Sequence, residues 1–159
     1  MNRIWAPWRI GYVTKKKNRG CVFCSAHKAK NDEKNFIVLR SHHCFVMLNT
    51  FPYNNGHIMV ISNRHVSSLD KLVDTEILDI NKTLIRMTAI LKAILKPAGF
   101  NVGINLGKVS GAGIDRHLHI HLVPRWLGDT NFMPVFTDTK IISQSLEELY
   151  GLIKKDLLL

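Results

Sequence analysis

The chain is expected to fold as an α+β domain, an antiparallel sheet with one long helix across it and a second helix at the C-terminus. Three observations point there. Short apolar runs set between Asn-, Pro- and Gly-rich turns read as strands. A single apolar stripe at spacings of three and four reads as a long helix. The order of elements is strand, strand, strand, helix, strand, strand, helix, which lets a three-stranded meander carry the helix on one face.

The first strand is expected over residues 36–39 (FIVL) and the second over 44–48 (CFVML), with His42 and His43 in the turn between them. Residues 49–56 (NTFPYNNG) have loop composition, and 57–61 (HIMVI) form the third strand. Leu69, Val73, Ile77, Ile80, Leu84, Met87, Leu91 and Leu95 mark the helix. Ser67 can cap its start, Asp70 favours the positive end of its dipole, and Pro97 and Gly99 stop it. Residues 100–106 (FNVGINL) follow as a strand, 107–116 as a loop with three glycines, and 117–123 (HLHIHLV) as the last strand. A helix over 143–155 puts Leu146, Leu149, Tyr150 and Ile153 on one side.

At 159 residues, 46% hydrophobic and 21% charged, the chain suits one domain, a core over 21–159 preceded by a basic arm over 1–20. No run approaches the roughly 18–20 apolar residues of a membrane span. The N-terminus has no apolar stretch after its early charges, so a cytoplasmic protein is expected. Net charge is +10; residues 1–30 hold eight Lys and Arg and no acid, leaving +2 for the rest. Such an arm can meet nucleic acid or simply be solvated, with the Lys15-Lys16-Lys17 cluster a solvated bend, and a basic protein attracts polyphosphates at long range. Of three cysteines, Cys21 and Cys24 form a Cys-x-x-Cys pair, which argues for metal binding or redox chemistry rather than a disulfide scaffold. Cys44, within an apolar strand, reads as a small core residue.

The segment Arg116-His117-Leu118-His119-Ile120-His121-Leu122-Val123-Pro124-Arg125-Trp126 is the most informative. Strand side chains alternate, so His117, His119 and His121 share one face, about 7 Å apart. Leu118, Ile120 and Leu122 point the other way, into the core. The imidazole face is expected to be exposed; any histidine that is buried needs a hydrogen-bond partner, a metal or a ligand. The residues alone leave two chemistries open, a zinc site and nucleophilic catalysis by one imidazole positioned by the others.

His-x-His-x-His flanked by aliphatics and followed by Pro-Arg resembles the signature of the histidine triad family. Asn54-Asn55-Gly56-His57-Ile58-Met59-Val60-Ile61 and Arg64-His65 resemble its Gly-His strand block. Trp5-Ala6-Pro7-Trp8-Arg9, Gly103-Ile104-Asn105-Leu106-Gly107 and Gly128-Asp129-Thr130-Asn131-Phe132-Met133-Pro134 resemble the bacterial diadenosine tetraphosphate phosphorylase branch. The resemblance implies a sheet of about five antiparallel strands, a homodimer, and a dinucleoside polyphosphate substrate. It implies attack by His119 on the α-phosphorus, with a covalent nucleotidyl-histidine released by inorganic phosphate or, as the alternative, water. In it, a backbone carbonyl holds the His119 tautomer, His121 donates to the phosphate or bridging oxygen, and His57 lines the same pocket. A non-catalytic zinc-containing nucleotide- or nucleic-acid-binding module is the competing class, and a mononuclear zinc hydrolase using all three histidines is a third.

The resemblance also supplies partners for the thiols. Cys21, Cys24, His65 and His117 together make a closed Cys₂His₂ structural zinc site, with His42 and His43 as alternative ligands. It places Asn49 at the ribose hydroxyls, although Asn49 can equally start the turn. Asn105 and Lys108 are placed near the phosphates, Lys108 ahead of Arg116, which faces away from the imidazoles, and of Arg125. Gly113 stands where many members carry a glutamine that contacts the phosphates. Its missing side chain lets a ligand or second anion approach. Trp5, Trp8, Trp126 and Phe132 can stack on a base or pack at an interface.

Overall fold

The structure, a computed structural model, describes residues 20–130 and 141–158. Five strands form one antiparallel sheet: β1 Ile37–Arg40, β2 Cys44–Leu48, β3 Ile58–Ser62, β4 Gly99–Gly103 and β5 His119–Arg125. Their order across the sheet is β1-β2-β3-β5-β4. Helix α1 spans Val22–Lys28, α2 spans Asp74–Leu95 and α3 spans Leu146–Asp156. Lys15–Lys17, Trp5, Trp8, Phe132 and most of the basic arm lie outside the described residues. None of the described helices is long and apolar enough to cross a membrane.

The two sheet faces have different cores. On one, Val46, Leu48, Ile58, Val60, Ile120 and Leu122 pack under Ile80, Met87 and Leu91 of α2 and Leu149 and Ile153 of α3. Cys44 belongs to this layer, as its apolar surroundings suggest, and burial pushes its thiol up to about 12. On the other face Phe23 and Ala26 of α1 cover Ile37, Phe45, Met59 and Ile61. The expected alternation of β5 is therefore present, with Ile120 and Leu122 toward the helices.

The long helix starts later than its apolar spacing suggests. Residues Leu69–Lys71 form a separate 3-10 turn, Asp70 lies in that turn, and Val73 precedes the helix without any cap from Ser67. Arg64 explains the delay: its guanidinium donates to the Lys71 carbonyl at 2.7 Å, an oxygen that a continuous helix would need for Thr75. The Glu76 carboxylate then accepts the Val73 N–H at 3.0 Å and opens the helix. Leu69, Val73 and Ile77 are accordingly exposed, and only the stripe from Ile80 onward reaches the core. At its far end Lys96 is left-handed (φ 47°) ahead of Pro97.

Strand ends shift by small amounts. β4 begins at Gly99 and ends at Gly103, so residues 104–106 fall outside it. The ladder of β5 starts at His119, since the Leu118 N–H pairs with the Val66 carbonyl outside the sheet. Ser145 caps α3 by accepting the Glu148 N–H, two residues inside the expected start. Gly56, just before β3, has φ 75°, and a Cβ there would lie 2.6 Å from Leu95 Cδ1 and 2.8 Å from Pro124 Cγ. Glycine is required at that position on both counts.

Candidate active site and thiol–imidazole cluster

His117, His119 and His121 do share a face, but that face is buried: the three are 2%, 6% and 7% exposed. The short helix α1 is the reason. Phe23 packs on His117 and His119, with ring centroids 5.5 and 5.0 Å away. Tyr53 leans over His57 and His121 from the loop before β3. Buried imidazoles must be partnered, and their partners set the proton positions.

His119 Nδ1 lies 2.8 Å from the His117 carbonyl. A carbonyl only accepts, so Nδ1 carries the proton and Nε2 keeps its lone pair. A second chain of bonds fixes the neighbouring rings. The Tyr53 N–H donates to His57 Nδ1 at 3.0 Å, which leaves the His57 proton on Nε2. His57 Nε2 then donates to His121 Nδ1 at 2.9 Å, which places the His121 proton on Nε2. That last nitrogen is buried and has no partner among the described residues. Burial first, and the neighbouring imidazoles second, lower the pKa of His57 to about 3 and of His121 to about 4, so both are neutral at physiological pH. The site presents one imidazole lone pair beside one imidazole N–H donor.

At the start of α1 a second cluster forms. Cys21, Cys24, His65 and His117 bring one ligand atom each within 4.8 Å of one another. Cys21 Sγ is 3.1 Å and Cys24 Sγ 3.5 Å from His117 Nδ1, and Cys24 Sγ is 3.3 Å from His65 Nδ1. A tetrahedral zinc with ordinary bond lengths sets its ligands about 3.3–3.8 Å apart, so two thiols and two imidazoles at these spacings fit such an ion. His117 Nε2 donates to the Ser62 carbonyl at 2.7 Å, which turns Nδ1 toward the sulfurs. His42 and His43 are not part of the cluster.

Asn49 takes up its turn role, accepting the Phe51 N–H at 2.9 Å, while its amide nitrogen lies 3.3 Å from His57 Nδ1. Asn105 is half-buried just past β4, and Lys108 is exposed at the start of the 3-10 turn Lys108–Ser110. No side-chain hydrogen bond joins either to the imidazoles among the described residues. Gly113 is exposed, and a Cβ built on it meets nothing within 4 Å, so a side chain would fit there as well.

Sequence reasoning missed α1 as a covering helix, because seven residues carry no usable periodicity. It also missed Tyr53, which contributes a backbone N–H and a ring over His57 and His121, and Ser62, whose contribution is a carbonyl. It missed the Arg64–Glu76 pair as well, in which the guanidinium donates from Nε at 2.7 Å and from a terminal nitrogen at 2.6 Å. This pair anchors the segment carrying His65.

The α+β sheet thus sets an imidazole with an open Nε2 beside an imidazole N–H that has no partner among the described residues. The family profile described as the HIT domain matches residues 30–126, and the chain belongs to this histidine triad family. It is 35% identical to the "AP-4-A phosphorylase" of Mycobacterium tuberculosis, over 96% of this chain and 83% of that protein. Its fold is similar to that of a zinc-bound histidine triad family protein from Mycobacterium smegmatis (TM-score 0.70, 23% identity, 87% of this chain and 94% of that one). It is also similar to the diadenosine triphosphate hydrolase of Plasmodium falciparum (TM-score 0.64, 25% identity, 79% of this chain and 78% of that one).

Proposed function

We propose that this protein is a nucleotidyl transferase that cleaves diadenosine tetraphosphate at an α-phosphate, with inorganic phosphate as acceptor. The observation that carries the reading is the unpartnered His121 Nε2–H beside the lone pair of His119 Nε2. Burying a donor without a partner costs about 1–3 kcal/mol, which a phosphate oxygen would recover. In the first step a bond forms between His119 Nε2 and the α-phosphorus as the bond to the bridging oxygen breaks. His121 Nε2–H bonds to that oxygen as charge builds on departing ATP. In the second step a phosphate oxygen attacks the same phosphorus, the N–P bond breaks, and ADP leaves. Asn49 meets the ribose, and Asn105 and Lys108 meet the phosphates. The similarity to a phosphorylase favours phosphate over water as acceptor.

The test is incubation with α-labelled diadenosine tetraphosphate, with and without phosphate. Acid-labile label on the protein and phosphate-dependent ADP formation are expected. His119→Ala should remove the label and slow turnover by about 10³-fold or more. A loss of only a few-fold would favour a nucleotide-binding module, and product formation indifferent to phosphate would make the protein a hydrolase.

We also propose that Cys21, Cys24, His65 and His117 hold zinc. The ion would supply a closed tetrahedral clamp between α1 and the segment leading into β5. Purified protein should contain one equivalent of zinc, and Cys21→Ser should lose it; unchanged content in that variant refutes the ligand set.

A further inference from the structure

A groove of about 360 Å³ lies along β5 beyond His121, lined by Tyr53, Asn54, Asn101, Val123, Arg125 and Thr130. We propose that it is a nucleoside site for the departing half of the substrate, a proposal that rests on His119 acting as the nucleophile.

Position comes first. Val123 lies two strand residues beyond His121, about 7 Å away on the same face. Asn101 of β4 pairs with Val123, and Gly103 pairs with His121. The groove therefore lies on the β4 side of the triad. Asn49 lies on the opposite side, where its N–H continues the β2–β3 ladder onto the His57 carbonyl. If Asn49 receives the ribose of the nucleotide transferred to His119, the departing half runs across His121 toward β4. His121, on β5 between β3 and β4, stands between the two.

Chemistry selects the occupant. Among the described residues, Arg125 is the one cation lining the groove. It donates from Nε at 2.6 Å and from a terminal nitrogen at 3.0 Å to Asp129, and from the other at 2.8 Å to Asn101 Oδ1. Asn54, buried, donates to the same Asp129 carboxylate at 2.8 Å. The charge is neutralised in place, so the groove offers little to a phosphate. It offers instead a buried valine floor, amide edges, and the Tyr53 ring, which forms the wall shared with His57 and His121 at centroid distances of 4.6 and 5.5 Å. An aromatic ring with amides at its rim suits a neutral base. The volume falls near the lower end of small-ligand sites, about 300–1,000 Å³, enough for one nucleoside.

The experiment compares diadenosine tetraphosphate with adenosine 5′-tetraphosphate, which keeps the transferred adenylyl group and the phosphate chain but has no departing nucleoside. The full chain is assayed as wild type, Asn101→Trp (a bulky ring placed from the exposed rim) and Tyr53→Ala. The wild type should favour the dinucleotide in kcat/KM by about tenfold, the scale of one base stacked on an aromatic ring. That ratio should fall to near one in both variants. Each ratio is taken on one protein sample, so partial misfolding cancels. A wild type that does not discriminate, or variants that keep the ratio, overturns the nucleoside site. If the wild type forms labelled protein from both substrates in that case, the nucleophile reading survives alone. If it forms none, both fall.

Discussion

Replacing His57 separates a ring that merely fills space from one that directs a proton. His57 is 1% exposed, accepts the Tyr53 N–H at Nδ1 and donates to His121 Nδ1 from Nε2. In His57→Leu the buried His121 Nδ1 loses its donor, and the His121 proton is free to move to that nitrogen, away from the substrate. One buried hydrogen bond lost with a group left unsatisfied is worth about 1–3 kcal/mol. If the loss falls on the transition state, kcat drops by about 5- to 150-fold with KM little changed. His57→Gln keeps an N–H near the position of Nε2 and should recover most of the rate. Nitrogen chemical shifts of His121 give an independent reading: Nε2 protonated in the wild type and His57→Gln, a mixture in His57→Leu. Turnover of His57→Leu within twofold of wild type, or equal impairment of the two variants, refutes the relay.

Burial also makes the imidazole pair acid-sensitive. Folded pKa values of about 3 for His57 and about 4 for His121 lie below the unfolded value of 6.5, so the unfolded chain binds more protons between those limits. Stability should be level above pH 6.5 and fall by on the order of 5 kcal/mol as pH drops toward 4 and below; urea midpoints that stay constant from pH 6.5 to 4 contradict this. Glu76→Gln removes the carboxylate that the Arg64 hydrogen bonds hold at a pKa of about 2, in a residue 2% exposed. Because Arg64 is half-exposed, the expected loss at pH 7 is about 2 kcal/mol, or roughly 4–8 °C in Tm. The gap should narrow as pH falls from 4.5 toward 2 and the wild-type carboxyl takes up its proton. A gap that stays constant over that range argues against the ion pair. Gly56→Ala should cost about 1–3 kcal/mol, from its positive φ and the close approach of Leu95 and Pro124. Unchanged thermal unfolding would show that the loop relaxes freely.

The sheet, both later helices and the alignment of the three histidines were legible because each rests on a periodicity: two along 119–125, three and four along 80–95. What was not legible has no periodicity. The delayed start of α2 comes from a guanidinium taking the Lys71 carbonyl, a long-range contact that apolar spacing does not register. Burial of His117 and His119 comes from α1, too short for a stripe, and the cover over His121 from a loop tyrosine. The thiol–imidazole set came from resemblance, since a Cys-x-x-Cys pair by itself names only half a ligand set, while the distances among Cys21, Cys24, His65 and His117 are a product of the fold. The tautomers of His57 and His121 follow from a backbone N–H at Tyr53, and any residue other than proline could have supplied it.

His117 links the two clusters through different parts of one residue. Its ring faces Cys21 and Cys24 through Nδ1 and is locked by the Ser62 carbonyl at Nε2. Its own carbonyl holds the His119 proton on Nδ1. The ring that faces the thiols and the carbonyl that fixes the His119 tautomer thus belong to one residue. The alternation that put His117 and His119 on one face also set their spacing at two residues, short enough for the carbonyl of one to reach the ring of the other. Three adjacent imidazoles thus have three different proton arrangements. His117 donates to a strand and turns Nδ1 to thiols, His119 donates to its neighbour's backbone and keeps Nε2 open, and His121 accepts from His57 and carries a buried N–H with no partner among the described residues. One strand can present three imidazoles in three different proton states because each ring is fixed by a different acceptor or donor in the surrounding fold.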